Sequence, residues 1–259
     1  VHSMYNFSVC ISDDIAESFE KKLQACAQLN VHNIEIEERF DGKALVALTG
    51  EEIESYRNML ITNSKIIACY SCSEPVKNFE YYKLLFRKAH LLYIKNIKIK
   101  NLYDSSVYSS PEEFVRDFAR IVQAGESFGI RVLIENQSGT ELAEDSQITK
   151  IIKLINNNYL GLIFNPLEFV KLRKHPFFHV FYYSKLKNDI YFLRVNDGLY
   201  VNGTPVLPGE GNAEIKELAS ILLSRSFNGY FSFTPYFENK DLDTYKKVIG
   251  KFKKMLMEI

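Results

Sequence analysis

The 259-residue sequence has no excess of either charge: 32 Lys and Arg stand against 32 Asp and Glu, so no overall field favours nucleic acid or an anionic membrane as a partner. It has no long apolar run either. Stretches such as "KALVALTG" and "YLGLIF" fall far short of the roughly 20 residues a membrane helix needs. No basic-then-apolar leader stands at the N-terminus, and a cytoplasmic location is expected. The first few residues, Val1 to Met4, are read as processing remnants and receive no fold assignment. Cysteine is scarce: Cys10, Cys26, Cys69 and Cys72 are too few and too scattered for a disulfide scaffold. "CYSC" has CxxC spacing, but a zinc site usually needs a second pair and a redox motif usually opens a helix, so buried thiols are the expected reading. No Pro/Ser-rich linker or charge block divides the chain, which predicts one domain over residues 1–259.

What is present is a regular alternation. Short apolar stretches predict strands at 7–12, 31–37, 65–71, 94–100, 130–136, 159–165, 190–196 and 229–234, with helical spacing between them. In "SPEEFVRDFARIVQAGESFG" Ser110 caps, Pro111 takes the first helical position and Gly129 closes. In "NAEIKELASILLSRSFNG" Asn212 is the expected cap and Gly229 follows the end. Eight β/α units in this length predict an α/β fold, the (β/α)₈ TIM barrel. The competing open, doubly wound sheet usually shows a Gly-rich first turn, and "FSVCISDDIAE" has no glycine there.

In a barrel the functional residues stand at the C-terminal strand ends, and inward positions alternate with helix-facing ones. In "GYFSFT" the aromatic face, Phe231 and Phe233, is expected against helices, leaving Ser232 and Thr234 inside. On the same logic Glu135, Asn165, Arg194 and Asn196 point to the barrel mouth. Glu135 ends a strand of Val132, Leu133 and Ile134, where an unpaired charge is costly, so it needs a partner or a task.

Further candidates come with plain structural alternatives. Lys98 and Lys100 share a face of "KNIKIK", and Lys100 lies near the strand end, where it would meet a ligand or stand in solvent at the rim. Glu35 and Glu37 alternate with Ile34 and Ile36. Glu37 is a candidate base, or equally a surface salt-bridge partner. His175 and His179 have the i, i+4 spacing of a metal pair, but Pro176 and the surrounding phenylalanines favour a cap residue and a half-buried imidazole. "FEYYKLLF" (79–86) has the spacing of a core stripe on a covering helix.

Taken together, "RVLIENQ", "LGLIFNP", "YFLRVNDG", "LPGEGNAEIKELASIL" and "FNGYFSFT", in this order, resemble the xylose isomerase-like TIM barrels. That group holds sugar isomerases, epimerases and inosose dehydratase-type enzymes, and endonuclease IV. The resemblance covers nearly the whole chain by strand order and the second half by motif. It implies one divalent metal (Mn, Mg or Zn) held by Glu, Asp, His and Glu at the ends of strands five to eight. Those positions fall here on Glu135, Asn165, Arg194 and Thr234, while the Asp that closes the seventh-strand motif is present as Asp197. Asn is a weak neutral ligand and Arg stays protonated, so the metal site is expected to be largely lost, with no cofactor and Glu135 as the one remaining metal ligand if any. Arg194 is then expected to take the cationic role, pairing two-pronged with Glu135.

The function expected on this resemblance is that of a sugar (phosphate) isomerase or epimerase acting on a sugar or polyol by proton transfer next to a carbonyl. Its candidate catalytic residues are Glu135, Lys100 and Glu37, and its candidate substrate-binding residues Arg194, Asn165, Asn196, Asp197, Thr234 and Glu168. The alternative is a non-catalytic or repurposed barrel that binds a small polyhydroxy or anionic ligand. Endonuclease activity would need a three-zinc cluster and a basic face, which five histidines and zero net charge do not supply.

Overall fold

In the computed structural model, which describes residues 5–100 and 102–259, eight parallel strands close into a barrel. They are β1 (Asn6–Cys10), β2 (Asn33–Glu37), β3 (Ile66–Cys72), β4 (Asn96–Ile99), β5 (Arg131–Glu135), β6 (Leu160–Phe164), β7 (Ile190–Arg194) and β8 (Tyr230–Phe233). Each strand neighbours the next in sequence and β8 returns to β1, the (β/α)₈ order. The expected strands are all found, with bounds displaced by at most two residues. Two short antiparallel pairs, Arg39–Phe40 with Lys43–Ala44 and Asp197–Gly198 with Pro205–Val206, stand apart from the barrel sheet. No helix among the described residues is long and apolar enough to cross a membrane.

The contacts group the chain into two compact units. One holds Cys10–Ile134 and Ile151–Gly161. Its helices are α1 (Phe19–Gln28), α2 (Gly50–Thr62), α3 (Phe79–Leu91) and α4 (Pro111–Ser127). Helix α4 starts as its sequence dictates: Ser110 Oγ accepts from Glu113 N at 3.2 Å, Pro111 follows, and Gly129 adopts φ +68° beyond the end. On α3 the stripe Tyr82, Leu85, Phe86 and Ala89 is fully buried, as its helical spacing requires. Gly125 of α4 has no room for a side chain, since a Cβ would lie 2.8 Å from Ile130 O.

The other unit holds the chain up to Val9, Glu135–Lys150 and Leu162–Ile259. Its helices include α6 (Pro166–Val170), α7 (Ile215–Ser224) and α8 (Leu242–Met257), and α5 (Asp145–Ile155) begins in it. On β8 the alternation works as expected. Phe231 and Phe233 turn outward onto Phe252 of α8, with ring centroids 5.1 and 5.7 Å away. Ser232, fully buried, lies in register with Ser8 of β1 and Arg194 of β7. The second expected cap is corrected: α7 starts at Ile215 after Glu214, which has φ +57°, and ends at Ser224, well before Gly229. Asn212 Oδ1 instead accepts from Tyr200 N at 2.9 Å, so the loop, not the helix, uses it.

A candidate ligand site at the ends of strands five to eight

Strand order alone places Glu135, Asn165 and Arg194 at adjacent strand ends, and the side chains meet there. Arg194 donates from Nε (3.2 Å) and Nη2 (2.9 Å) to Oε1 of Glu135, and from Nη1 (2.5 Å) to Ser232 Oγ. Asn165 Nδ2 donates to the second oxygen, Oε2, at 2.9 Å. The expected pair is present: two guanidinium nitrogens converge on Oε1, and Asn165 bonds Oε2. Arg194 and Glu135 side chains are only 5% and 11% exposed, so the charges are largely withdrawn from water and each depends on the other.

Asn165 has a second partner. Its Nδ2 also donates to Tyr236 Oη at 2.7 Å, while its Oδ1, fully buried, accepts nothing from the described residues. The Tyr236 phenol is pushed up from its ordinary value by burial first, and then by the negative charges of Glu135 and Glu168. It therefore stays protonated across the ordinary pH range. Lys171 Nζ lies 5.0 Å from the centre of the Tyr236 ring and 2.6 Å from Glu168 Oε2. The backbone of Asn165 is fixed as well: Asn136, buried one residue beyond β5, accepts from Asn165 N at 2.7 Å and donates to Asn165 O at 2.8 Å.

The other expected residues take different positions. Glu168 is buried, and its Oε1 accepts from both N and Oγ of Ser138 at 3.1 Å, so it anchors the loop after β5. Asp197 is 2% exposed and accepts four backbone N–H groups: Gly198 (2.8 Å) and Ala213 (2.9 Å) on Oδ1, Gly209 (2.8 Å) and Gly211 (3.1 Å) on Oδ2. The carboxylate shapes the "PGEGN" loop. Gly211 is required there, since a Cβ would lie 2.5 Å from Asp197 Oδ1. Asn196 is buried, with no partner for Nδ2 among the described residues, and Thr234 is half-buried just past β8.

In the other unit Glu37 and Lys100 form a long ion pair, 3.9 Å, with Glu37 58% exposed. Glu35 is buried and Lys98 half-buried. His175 and His179 are both exposed, which corrects the expected half-buried imidazole. His175 precedes a π-helical turn, Pro176–Phe181, without a side-chain cap, and its Nδ1 lies 3.0 Å from Tyr200 Oη. No group of three or more His, Cys, Asp or Glu side chains that could hold a metal is found among the described residues. Cys69 and Cys72 are buried, and burial pushes the Cys72 thiol up to about 12. Tyr236, Ser138 and Lys171 had no signal in the sequence, because each lies in a loop or at the end of a short helix whose path no periodicity specifies, and Asn136, expected as the last residue of the 130–136 strand, lies one residue past it.

No family model and no curated protein matches the chain, so its likeness to known proteins lies in three dimensions. A D-tagatose 3-epimerase-like protein superposes with TM-score 0.75 over 97% of both chains, at 18% identity. A xylose isomerase-like TIM barrel protein from Mycobacterium smegmatis, solved in complex with magnesium, gives TM-score 0.75 over 98% of this chain and 97% of that one, at 14% identity. A probable 3-DHS dehydratase from Bacillus anthracis gives 0.73 over 96% and 98%, at 16% identity. The fold is that of the xylose isomerase-like TIM barrels. Within this fold, the magnesium complex shows that a divalent ion is at home in one neighbour.

Proposed function

We propose that this xylose isomerase-like barrel binds a small polyhydroxy compound, a sugar or polyol, at the ends of β5 to β8 without a divalent metal. The reading rests on one observation: Arg194 and Asn165 between them occupy both oxygens of Glu135. A hard cation would need anionic or lone-pair oxygen at this point. Here the carboxylate already faces a guanidinium within hydrogen-bond distance, and a second positive charge would be repelled by it. These residues do not fit a divalent ion, and Arg194 takes its electrostatic place. The resemblance to a D-tagatose 3-epimerase-like protein supports a sugar-sized ligand.

A base that abstracts a proton needs a lone pair aimed at the substrate. Both oxygens of Glu135 are engaged by three donors, so it serves to orient the site, and binding rather than isomerisation is the function this geometry favours. The test is calorimetric titration of D-tagatose and galactitol into protein freed of metal with EDTA, repeated with Mn²⁺ present. Equal affinity in the two conditions is the expected result. A tenfold gain from Mn²⁺ that disappears in Glu135→Ala would overturn the reading and restore a metal-dependent isomerase.

A further inference from the structure

The hydrogen bonds of the site run in one direction. Arg194 and Asn165 donate to Glu135, and Asn165 spends its second amide proton on Tyr236 Oη. An amide nitrogen beside a carboxylate leaves no choice of orientation, since the opposite placement would set two acceptors face to face. Tyr236 therefore accepts from Asn165, and its own proton must point elsewhere. Among the described residues that proton has no acceptor. On the same amide that bonds Tyr236, the fully buried Oδ1 of Asn165 has no donor among the described residues. A donor next to an acceptor is what a hydroxyl group satisfies from both sides, and buried polar groups are rarely left unpaired.

The charges around this pair decide what kind of oxygen is accepted. Glu135 and Glu168 bring two negative charges to Tyr236, and Arg194 and Lys171 bring two positive ones, so the formal sum is zero. Neither cation is uncommitted: Arg194 is bonded to Glu135 and Ser232, and Lys171 lies 2.6 Å from Glu168. An anionic ligand would lose its hydration at this point and find no surplus charge in exchange.

Resting on the reading of this site as a sugar or polyol pocket, we infer that Tyr236 is its specificity-determining residue. The phenol donates one hydrogen bond to an uncharged ligand oxygen whose own proton goes to Asn165 Oδ1, and the site selects free sugars and polyols over their phosphates and acids.

The experiment measures the affinity of D-tagatose, galactitol, D-tagatose 6-phosphate and inorganic phosphate for the wild-type chain and for Tyr236→Phe, in EDTA, by calorimetry. Circular dichroism and a thermal melt check that the variant folds. The wild type is expected to bind the two uncharged probes at least tenfold more tightly than either phosphate. Tyr236→Phe, which keeps the ring and removes the donor, is expected to weaken them by about five- to tenfold, the size of one neutral hydrogen bond. Unchanged affinity in a folded Tyr236→Phe overturns this inference and leaves the pocket in place. So does a phosphate that binds as tightly as the free sugar. A wild type that binds none of the probes overturns the pocket itself, and the assignment of Tyr236 with it.

Discussion

Two nitrogens of Arg194, Nε and Nη2, converge on the single oxygen Oε1 of Glu135, at 3.2 and 2.9 Å, while Asn165 holds Oε2. A guanidinium and a carboxylate this far from water are worth little as a pair against an apolar substitute, but breaking the pair strands a charge. Arg194→Met is accordingly expected to cost roughly 3–5 kcal/mol of stability, read from urea unfolding. Combining it with Glu135→Gln, which removes the stranded charge and keeps an acceptor for Asn165, should recover a large part of that loss. If the single variant is as stable as the wild type, the pair is not buried as described.

The loop after β7 makes a second prediction. Asp197 supplies the acceptors for four backbone N–H groups, and nothing else in the loop replaces them. Asp197→Ala should cost roughly 3 kcal/mol or more, since each unmet buried donor is penalised by about 1–3 kcal/mol. Gly211→Ala should be comparably harmful, because its methyl group would collide with Gly198 O at 2.4 Å as well as with Asp197. Chemical denaturation of the two variants checks both, and near-wild-type midpoints would contradict the carboxylate's anchoring role.

Stability should also depend on Asp189, the half-buried residue just before β7. Burial raises its carboxyl above the ordinary value, and among the described residues no charge or hydrogen bond offsets this. The sign follows directly: the unfolded chain ionises this group first, so its contribution turns unfavourable as pH rises from about 3.9 through the higher folded value. Asp189→Asn should stabilise the protein at pH 7 and do nothing below about pH 3. Thermal melts at the two pH values test it, and a gain that persists in acid would assign the effect to something other than charge.

Thiol chemistry offers a fourth check. Burial pushes Cys26 and Cys72 up to about 12, and Cys69 is fully buried, whereas Cys10 is partly exposed. Because the thiolate is the reactive form, DTNB at pH 8 should modify Cys10 alone in the native protein and all four thiols in guanidinium. Rapid labelling of Cys72 under native conditions would contradict the packing around β3.

The barrel was legible because its signals are periodic: apolar strands, capped helices and the alternating faces of "GYFSFT" repeat with spacings that backbone geometry enforces. Glu135, Asn165 and Arg194 were legible for the same reason, being strand-end residues whose neighbours the topology fixes. Asp197 was located, but its partners were not. Its partners are main-chain N–H groups of the glycine loop, and a sequence does not display which way a loop turns its amides. Glu168, named as a substrate-binding candidate, lies on α6 and is bonded to Ser138, thirty residues away in the chain, a contact that no sequence pattern displays. Tyr236 was missed altogether, since it lies past β8 where periodicity stops.

Asn136 bears on how the rim of the barrel is held. Its side-chain amide reproduces a peptide group, accepting from and donating to the backbone of Asn165. The β5–β6 ladder is thereby continued for one more rung by an atom set that is not main chain. The polypeptide itself is released at residue 136 and turns out toward Ser138 without leaving Asn165 unpaired. Glu135 and Asn165 therefore keep their alignment independently of the path the chain takes beyond Ser138, whose bond to Glu168 is the next fixed point of the rim.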